Sequence, residues 1–409
     1  MPTIAVIGAG AAGLMAAIHA AKSGVRVQLL ERTVDGGRKI LISGGGRCNV
    51  LPGSLDESRF VTASPPHALR RILRSWPLEG QRQFFEQTLG LPLVLEPESG
   101  KLFPAANKAR VVRDALVDCA TRRGVEWINR AHVTGLERIG TQWCISAADG
   151  RRFIADAVII TTGGLSVPAT GSDGFGLARL AELGHTVHRT YPALTPLTLD
   201  PPEFADLAGI ALPVTLTATD GVNPARQATG GFLFTHRGYS GPAVLDLSDL
   251  AVRTRSAGVA PARFTVQWTT LDRAAWTSEF APSARTIGSV LRHHLPARLA
   301  DRLLAQADIA AATVLAQLER STRLRLIELL VRFPLPWTGD EGYRKAEVTG
   351  GGVALDEVDS RTLMSKVQPG LFLAGELLDA FGPIGGYNFA WAWATGQAAG
   401  LGAGSASAR

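Results

Sequence analysis

A β-branched run, Thr3-Ile4-Ala5-Val6-Ile7, leads directly into Gly8-Ala9-Gly10-Ala11-Ala12-Gly13 and then into an alanine-rich stretch of helical character. This order of strand, glycine turn and helix constrains the chain more than any other feature in it. In GxGxxG the first glycine makes a tight turn and the second lets backbone N–H groups approach a pyrophosphate. The third allows close packing of helix on strand. The anion then sits at a helix N-terminus, where unpaired N–H groups and the helix dipole favour negative charge. The helix reads from Gly13 to Ser23 and ends at Gly24, and residues 25–30 form a second strand closing at Glu31. The Glu31 carboxylate can accept hydrogen bonds from both ribose hydroxyls of an adenosine. Such a βαβ unit implies a parallel sheet with right-handed crossovers. It does not separate FAD from NAD, because both carry an ADP half.

The remainder of the 409 residues divides by style. Helical patterns recur around 67–76 and 109–123, alternation over 131–147 suggests a small antiparallel meander, and residues 155–161 return to a buried strand. From Tyr191-Pro192 to about Trp268 the segments are short, rich in Thr, Val, Leu and Phe, and broken by Gly and Pro. From Leu271 to Phe333 the pattern is helical, with Leu324, Ile327, Leu330 and Val331 on one core-facing stripe. The fold class expected is α/β: a Rossmann-like cofactor domain over 1–189 and 341–409, interrupted by a β-barrel-like domain at 190–270 and a helical domain at 271–340. His185 follows Leu183-Gly184 at a helix end, where a C-terminal cap is the expected role.

Two further segments carry chemistry. Gly36-Gly-Arg38-Lys39-Ile-Leu-Ile-Ser43-Gly44-Gly-Gly46-Arg47-Cys48-Asn49 combines three consecutive glycines with three cations. Exposed amides and positive charge together favour a diphosphate and a ribityl chain. Downstream, a strand ends at Gly375-Glu376, and Pro383-Ile-Gly385-Gly386-Tyr387-Asn388 opens an apolar helix. That helix offers a second N-terminal dipole for an anion or for charge developing on a ring.

These motifs, with Thr162-Gly163-Gly164, GSDGFG at 171–176, LGHTV at 183–187, THRGYSGPAVLDLS at 235–248 and VTGGGV at 348–353, resemble one family. It is the FAD-dependent oxidoreductase family that contains aminoacetone oxidase and the bile-acid-inducible BaiN-type flavoproteins. The resemblance covers nearly the whole chain and implies a glutathione-reductase-type FAD domain. It implies that Gly8, Gly10, Gly13, Glu31, Lys39, Ser43, Gly46 and Arg47 line the ADP and diphosphate, and that Val133 meets the adenine. Gly375, Glu376, Gly386, Tyr387 and Asn388 then border the diphosphate, ribityl chain and flavin ring. Ala11 and Ala12 of the fingerprint, Arg32 beside Glu31, and Arg38, Gly44, Cys48 and Asn49 of the glycine-rich loop belong to the same cofactor-binding set, as do Thr162, Gly163, Gly164 and Gly385. One departure stands out: where an aspartate–glycine-type loop is expected after Leu378-Asp379, this chain has Ala380-Phe381-Gly382-Pro383. No catalytic acid or base is assigned from the sequence.

The activity expected is hydride transfer between a small organic substrate and flavin N5, with oxygen or NAD(P) as the other redox partner. The chain has only one βαβ fingerprint, so no separate NAD(P) site is expected, and any nicotinamide binds transiently at the flavin face. Three isolated cysteines exclude a disulfide scaffold, and a lone Cys48 excludes dithiol chemistry on the flavin. Cys48 is read as a packing or tuning group. His293-His294 has no further ligand at metal spacing, so no metal site is expected. The net charge of +6 raises an alternative, an RNA-modifying or RNA-binding flavoprotein. Its arginines are scattered rather than clustered, and no nucleic-acid partner is expected. Residues 380–408 carry no charge, but their glycines, Pro383 and Asn388 suit a buried helix better than a membrane span. A cytoplasmic protein is expected, with no secretory leader; the oligomeric state is not legible.

Overall fold

The structure, a computed structural model, describes residues 1–21 and 24–407. It divides into two compact units: Met1–Pro192 together with the chain from Glu347 onward, and Ala193–Ala346 between them.

In the first unit, β1 (Thr3–Ile7), β2 (Arg26–Leu30), β3 (Glu126–Ile128), β4 (Ala157–Ile160) and β5 (Leu371–Leu373) form one parallel sheet. The strand order is β5-β4-β1-β2-β3, with Ile4 paired to Val27 on one side and to Ala157 on the other. Ile4, Val6, Val158 and Ile160 have no exposed surface, as expected where helices cover both faces of a parallel sheet. Helix α1 (Ala11–Ala20) follows β1; Ser23, read as its last residue, lies outside the described residues. The meander read at 131–147 is present as Val133–Ile139, Gln142–Ala147 and Arg152–Ala155.

Two other helices border the glycine motifs: α2 (Arg38–Gly46) and α3 (Tyr387–Ala406). Gly396 and Gly400, one turn apart on α3, face α1. A Cβ at Gly396 would lie 2.5 Å from the Ala12 carbonyl oxygen, and one at Gly400 would overlap that of Ala16. The two backbones therefore meet directly, which only glycine allows. The glycine- and alanine-rich tail is the end of this helix, with Gly402, Ala403 and Gly404 buried. Among the described residues no helix is long and apolar enough to cross a membrane.

His185 does not cap its helix with its ring. The helix Phe175–Glu182 is closed by backbone, with Gly184 N–H on the Ala181 carbonyl and His185 N–H on that of Leu180. The imidazole is buried between Glu357 Oε2, 3.0 Å from Nδ1, and Ser365 Oγ, 2.9 Å from Nε2. Burial pulls its pKa below 6.5, against the upward pull of Glu357. The neutral ring donates to Glu357 and accepts from Ser365. The unfolded chain therefore takes up this proton first, and stability is lost as pH falls through about 6.5. Urea midpoints of the first unit should fall between pH 7 and pH 5, and less steeply in His185→Gln. Equal slopes would show that this histidine does not contribute.

In the second unit seven strands form one antiparallel sheet, and the helical stretch packs on it. The strands Phe333–Leu335 and Gly339–Asp340 come after the helices and return to opposite edges of that sheet. Trp268, Trp276, Leu291 and Leu326 share a single core. Strand and helix therefore belong to one layer pair rather than two domains, since each supplies the apolar face the other must bury. Leu324 is 44% exposed, and Leu326, Ile327 and Leu330 are the residues that face inward. Pro334 lies in an edge strand, where its missing N–H costs no ladder bond. Asp249 is buried here with Arg226, whose Nη1 lies 2.9 and 2.7 Å from its two oxygens.

Candidate cofactor site

The fingerprint loop turns at Gly8, where φ is +100° and a Cβ would lie 2.9 Å from the Thr161 carbonyl oxygen. At Gly13 a Cβ would overlap the Gly8 carbonyl oxygen. The protein itself demands these two glycines. Gly10 differs: its backbone is extended (φ −78°, ψ −168°) and a Cβ there would meet no protein atom within 4 Å. No side chain caps the first turn of α1, so its leading N–H groups, at Ala11 and Ala12, face a cradle suited to an anion.

Glu31 closes this loop from the end of β2. It is 7% exposed; Oε2 accepts from Ala9 N–H at 2.9 Å, and Oε1 accepts from the Thr33 N–H at 2.7 Å and hydroxyl at 2.6 Å. Three of about four acceptor positions of a carboxylate are thus filled by protein. Arg32 turns to the GSDGFG segment, bonding Gly171 O at 3.0 Å and Asp173 at 2.6 Å. Ala131 N–H donates to Glu31 O, which brings the start of the Val133 strand alongside.

The glycine-rich loop begins as a helix. α2 is helical from Arg38, leaves helical geometry at Ser43 (ψ 151°), and runs left-handed through Gly44 (φ 55°), Gly45 (φ 66°) and Gly46 (φ 83°). A Cβ at Gly45 or Gly46 would meet no protein atom within 4 Å. The cations here have protein partners: Arg38 pairs with Asp35 at 3.3 Å, and Arg47 bonds Glu96 at 3.0 Å while lying over the Phe103 ring. Asn49, with its amide oriented to satisfy both neighbours, donates to Leu51 O and accepts from Gly386 N–H, each at 3.0 Å.

Cys48 has no exposed surface, and burial pushes its thiol up to about 12, against the Ser43 hydroxyl, which favours the thiolate. A thiol held protonated is neither nucleophile nor redox partner. Native protein at pH 8 should leave Cys48 unalkylated by iodoacetamide, and Cys48→Ser should keep its FAD and most turnover. Loss of nearly all activity with FAD still bound would reverse this assignment.

The downstream motifs converge on Glu376. Its Oε2 accepts from Lys39 Nζ at 2.7 Å; its Oε1 accepts from Ser166 Oγ at 2.6 Å, Thr349 N at 3.0 Å and Thr349 Oγ1 at 2.9 Å. Gly164 must be glycine, because a Cβ would overlap the Thr349 hydroxyl. Gly163 is left-handed (φ 73°), and the neighbouring Thr162 hydroxyl is buried without a partner. α3 locks the Gly375 turn from behind: Thr395 Oγ1 accepts from Gly375 N–H at 3.0 Å, and Trp391 Nε1 donates to Gly375 O at 3.1 Å. At the start of α3, Gly385 and Gly386 have φ of 120° and 93°. Asn388 clamps Gly382 through both of its amide atoms at 2.9 Å, and the Tyr387 hydroxyl accepts from Asp56 N–H at 3.3 Å. Ser166, Lys101 and Glu347 also lie in this region, and no local motif marks them. Thr349 is different, since it stands inside VTGGGV.

Residues 2–402 match the family described as HI0933-like protein Rossmann domain. The chain belongs to this family. Among its relatives, the ribosomal RNA dihydrouridine synthase of Escherichia coli K12 is 33% identical over 95% of this chain and 94% of its own length. The 3-dehydro-bile acid delta(4,6)-reductase of Clostridium scindens is 32% identical over 98% of both chains. Among solved structures, a flavocytochrome c3 fumarate reductase in its open conformation aligns with a TM-score of 0.50, at 16% identity over 100% of this chain and 79% of its own. The Mycobacterium smegmatis Sdh1 complex in the apo form aligns at 0.52, with 15% identity, over 100% and 69%. These two likenesses show the fold alone. This HI0933-like protein is a flavin-dependent oxidoreductase and its cofactor is FAD. The site fits that cofactor: an open cradle at Gly10, an uncapped helix start and the Glu31 carboxylate lie together at the C-terminal ends of β1 and β2.

Proposed function

We propose that the enzyme reduces a carbon–carbon double bond conjugated to a carbonyl group in a small organic substrate. The observation that carries this reading is the chemistry shared by its full-length relatives. A dihydrouridine differs from uridine by two hydrogens across a bond next to a carbonyl, and a Δ4,6-reductase acting on a 3-keto bile acid saturates a bond conjugated to that ketone. When bound, FAD supplies the hydride. The residues of the chain bind and orient: the Gly8–Gly13 loop takes the diphosphate, Glu31 holds the ribose, and the N-terminus of α3 at Gly386 offsets negative charge at the ring. On this reading a nicotinamide is the electron donor, and it binds transiently, because the antiparallel sheet of the second unit offers it no dinucleotide fold.

A second reading places the same bond in a uracil of RNA. Two relatives named ribosomal RNA dihydrouridine synthase, 33% and 31% identical, favour it, together with the charge of +6. The decisive experiment starts from chemically reduced enzyme without oxygen. Reoxidation of the flavin by a 3-keto-4,6-diene bile acid supports the first reading. Restoration of dihydrouridine to ribosomal RNA in an E. coli strain lacking its own relative supports the second. Failure of both would sink the alkene-reduction proposal.

A further inference from the structure

Adding two hydrogens across an activated alkene requires a proton donor as well as a hydride. Glu376 is excluded as that donor by its saturation: Lys39 holds one oxygen, and Ser166 and Thr349 donate three hydrogen bonds to the other. Lys39 is in turn fixed between Glu376 and Ser166. Glu347 differs. It immediately precedes the strand Val348–Val353, and side chains two residues apart on a strand share a face. The Thr349 side chain points at Glu376 and Gly164, so Glu347 is directed toward the same region. Its backbone carbonyl accepts from Ser166 Oγ at 3.3 Å. Among the described residues nothing hydrogen-bonds its carboxylate, and the charges of Lys39 and Lys101 act on it. The Lys101 side chain runs past the start of α3, its Cε 3.6 Å from where a Gly385 Cβ would stand. Glu347 thus feels two cations, Lys39 from α2 and Lys101 beside the Gly385 turn. By area the residue is exposed, yet burial among surrounding protein pushes its carboxyl above the usual carboxylate range, against the pull of Lys39 and Lys101.

We propose that Glu347 is the catalytic acid of alkene reduction. The β-carbon receives hydride from reduced flavin, and the π electrons shift toward the carbonyl. The Glu347 O–H bond breaks, its proton forms the new C–H bond at the α-carbon, and its electron pair remains on the carboxylate. The alkene gains two electrons and the flavin loses two; a nicotinamide donor restores the flavin and solvent restores the proton. A carboxyl suits this step better than the neighbouring ammonium groups, because it is the stronger acid.

This inference rests on the alkene-reduction reading, and the test separates the two. Glu347→Gln is isosteric, and its FAD content is measured first. Reduced wild-type and variant enzymes are reoxidised by a 3-keto-4,6-diene bile acid and, separately, by oxygen. The variant should be slower with the diene by about 10²–10³-fold, a far larger loss than with oxygen, and partly rescued in Glu347→Asp. The diene rate of the wild type should fall as pH rises through the Glu347 ionisation, and the variant should lack that limb. The charged groups acting on Glu347 are Lys39 on α2, which itself pairs with Glu376, and Lys101 on the strand Lys101–Pro104. The visible band of bound FAD should shift with the same ionisation in the wild type and not in the variant. Diene reoxidation of Glu347→Gln at the wild-type rate, or survival of the pH-dependent band shift in the variant, overturns the assignment. If the diene fails to reoxidise even the wild type, the alkene reading fails and the band shift alone decides whether Glu347 faces the flavin.

Discussion

Gly10→Val should yield a folded protein that has lost its flavin. The backbone at Gly10 is extended and any residue can adopt it; a Cβ there would meet no protein atom within 4 Å. On the proposed binding mode the valine should therefore crowd the diphosphate rather than the protein. Overpacking of about 3 kcal/mol corresponds to about a hundredfold weaker binding. Gly13→Ala should behave in the opposite way. Its methyl would overlap the Gly8 carbonyl oxygen and lie 2.6 Å from the Thr161 hydroxyl, and the βαβ unit should lose about 3 kcal/mol or more of stability. Flavin-to-protein absorbance ratios and thermal melts of the apoproteins distinguish the two. A full complement of FAD in Gly10→Val would remove the fingerprint from the binding site.

The second large effect lies within the second unit. Arg226→Met should cost about 3 kcal/mol, because it leaves Asp249 buried without its main counter-charge. Asp249 is 1% exposed; burial raises its carboxyl, and Arg226 works against that through two hydrogen bonds at 2.9 and 2.7 Å. Arg253, at 3.8 Å, is a poor substitute. The Arg226 side chain is 35% exposed, which places the estimate at the lower end of the range for broken buried pairs. The double variant Arg226→Met with Asp249→Leu should recover most of the loss in a urea titration. A double variant no more stable than the single one would mean that the pair is held by geometry rather than charge.

The contrast between these two sites explains what a sequence of this kind makes legible. Gly8, Gly10, Gly13 and Glu31 are readable because each role is set over a few residues of one βαβ unit, where spacing in the chain fixes spacing in space. The Glu376 cluster has no such signature: Lys39 stands 337 residues away and Ser166 stands 210 away. Lys39 and Glu376 are legible singly, each inside a glycine motif, and Thr349, 27 residues upstream, stands inside VTGGGV; their meeting, and Ser166, left no trace. The sign of charge at Arg32 and Arg47 was readable, but their acidic partners, Asp173 and Glu96, lie 141 and 49 residues off. The second unit shows the same limit. Its strands and helices were visible as styles, but the return of Phe333–Leu335 and Gly339–Asp340 to one sheet is a long-range pairing that no local pattern announces.

The direct contact of α3 with α1 at Gly396 and Gly400 sets an order of events during synthesis. The fingerprint helix is made before the entire second unit, and the helix that backs it is made after that unit. A nascent chain that has not released residues 371–406 lacks a strand of the parallel sheet, the Gly375 turn and the backbone surface against which Ala12 and Ala16 pack. Its glycine loop is already translated but has nothing behind it. Cofactor capture is thereby deferred until residues 371–406 have been translated and have packed behind the loop.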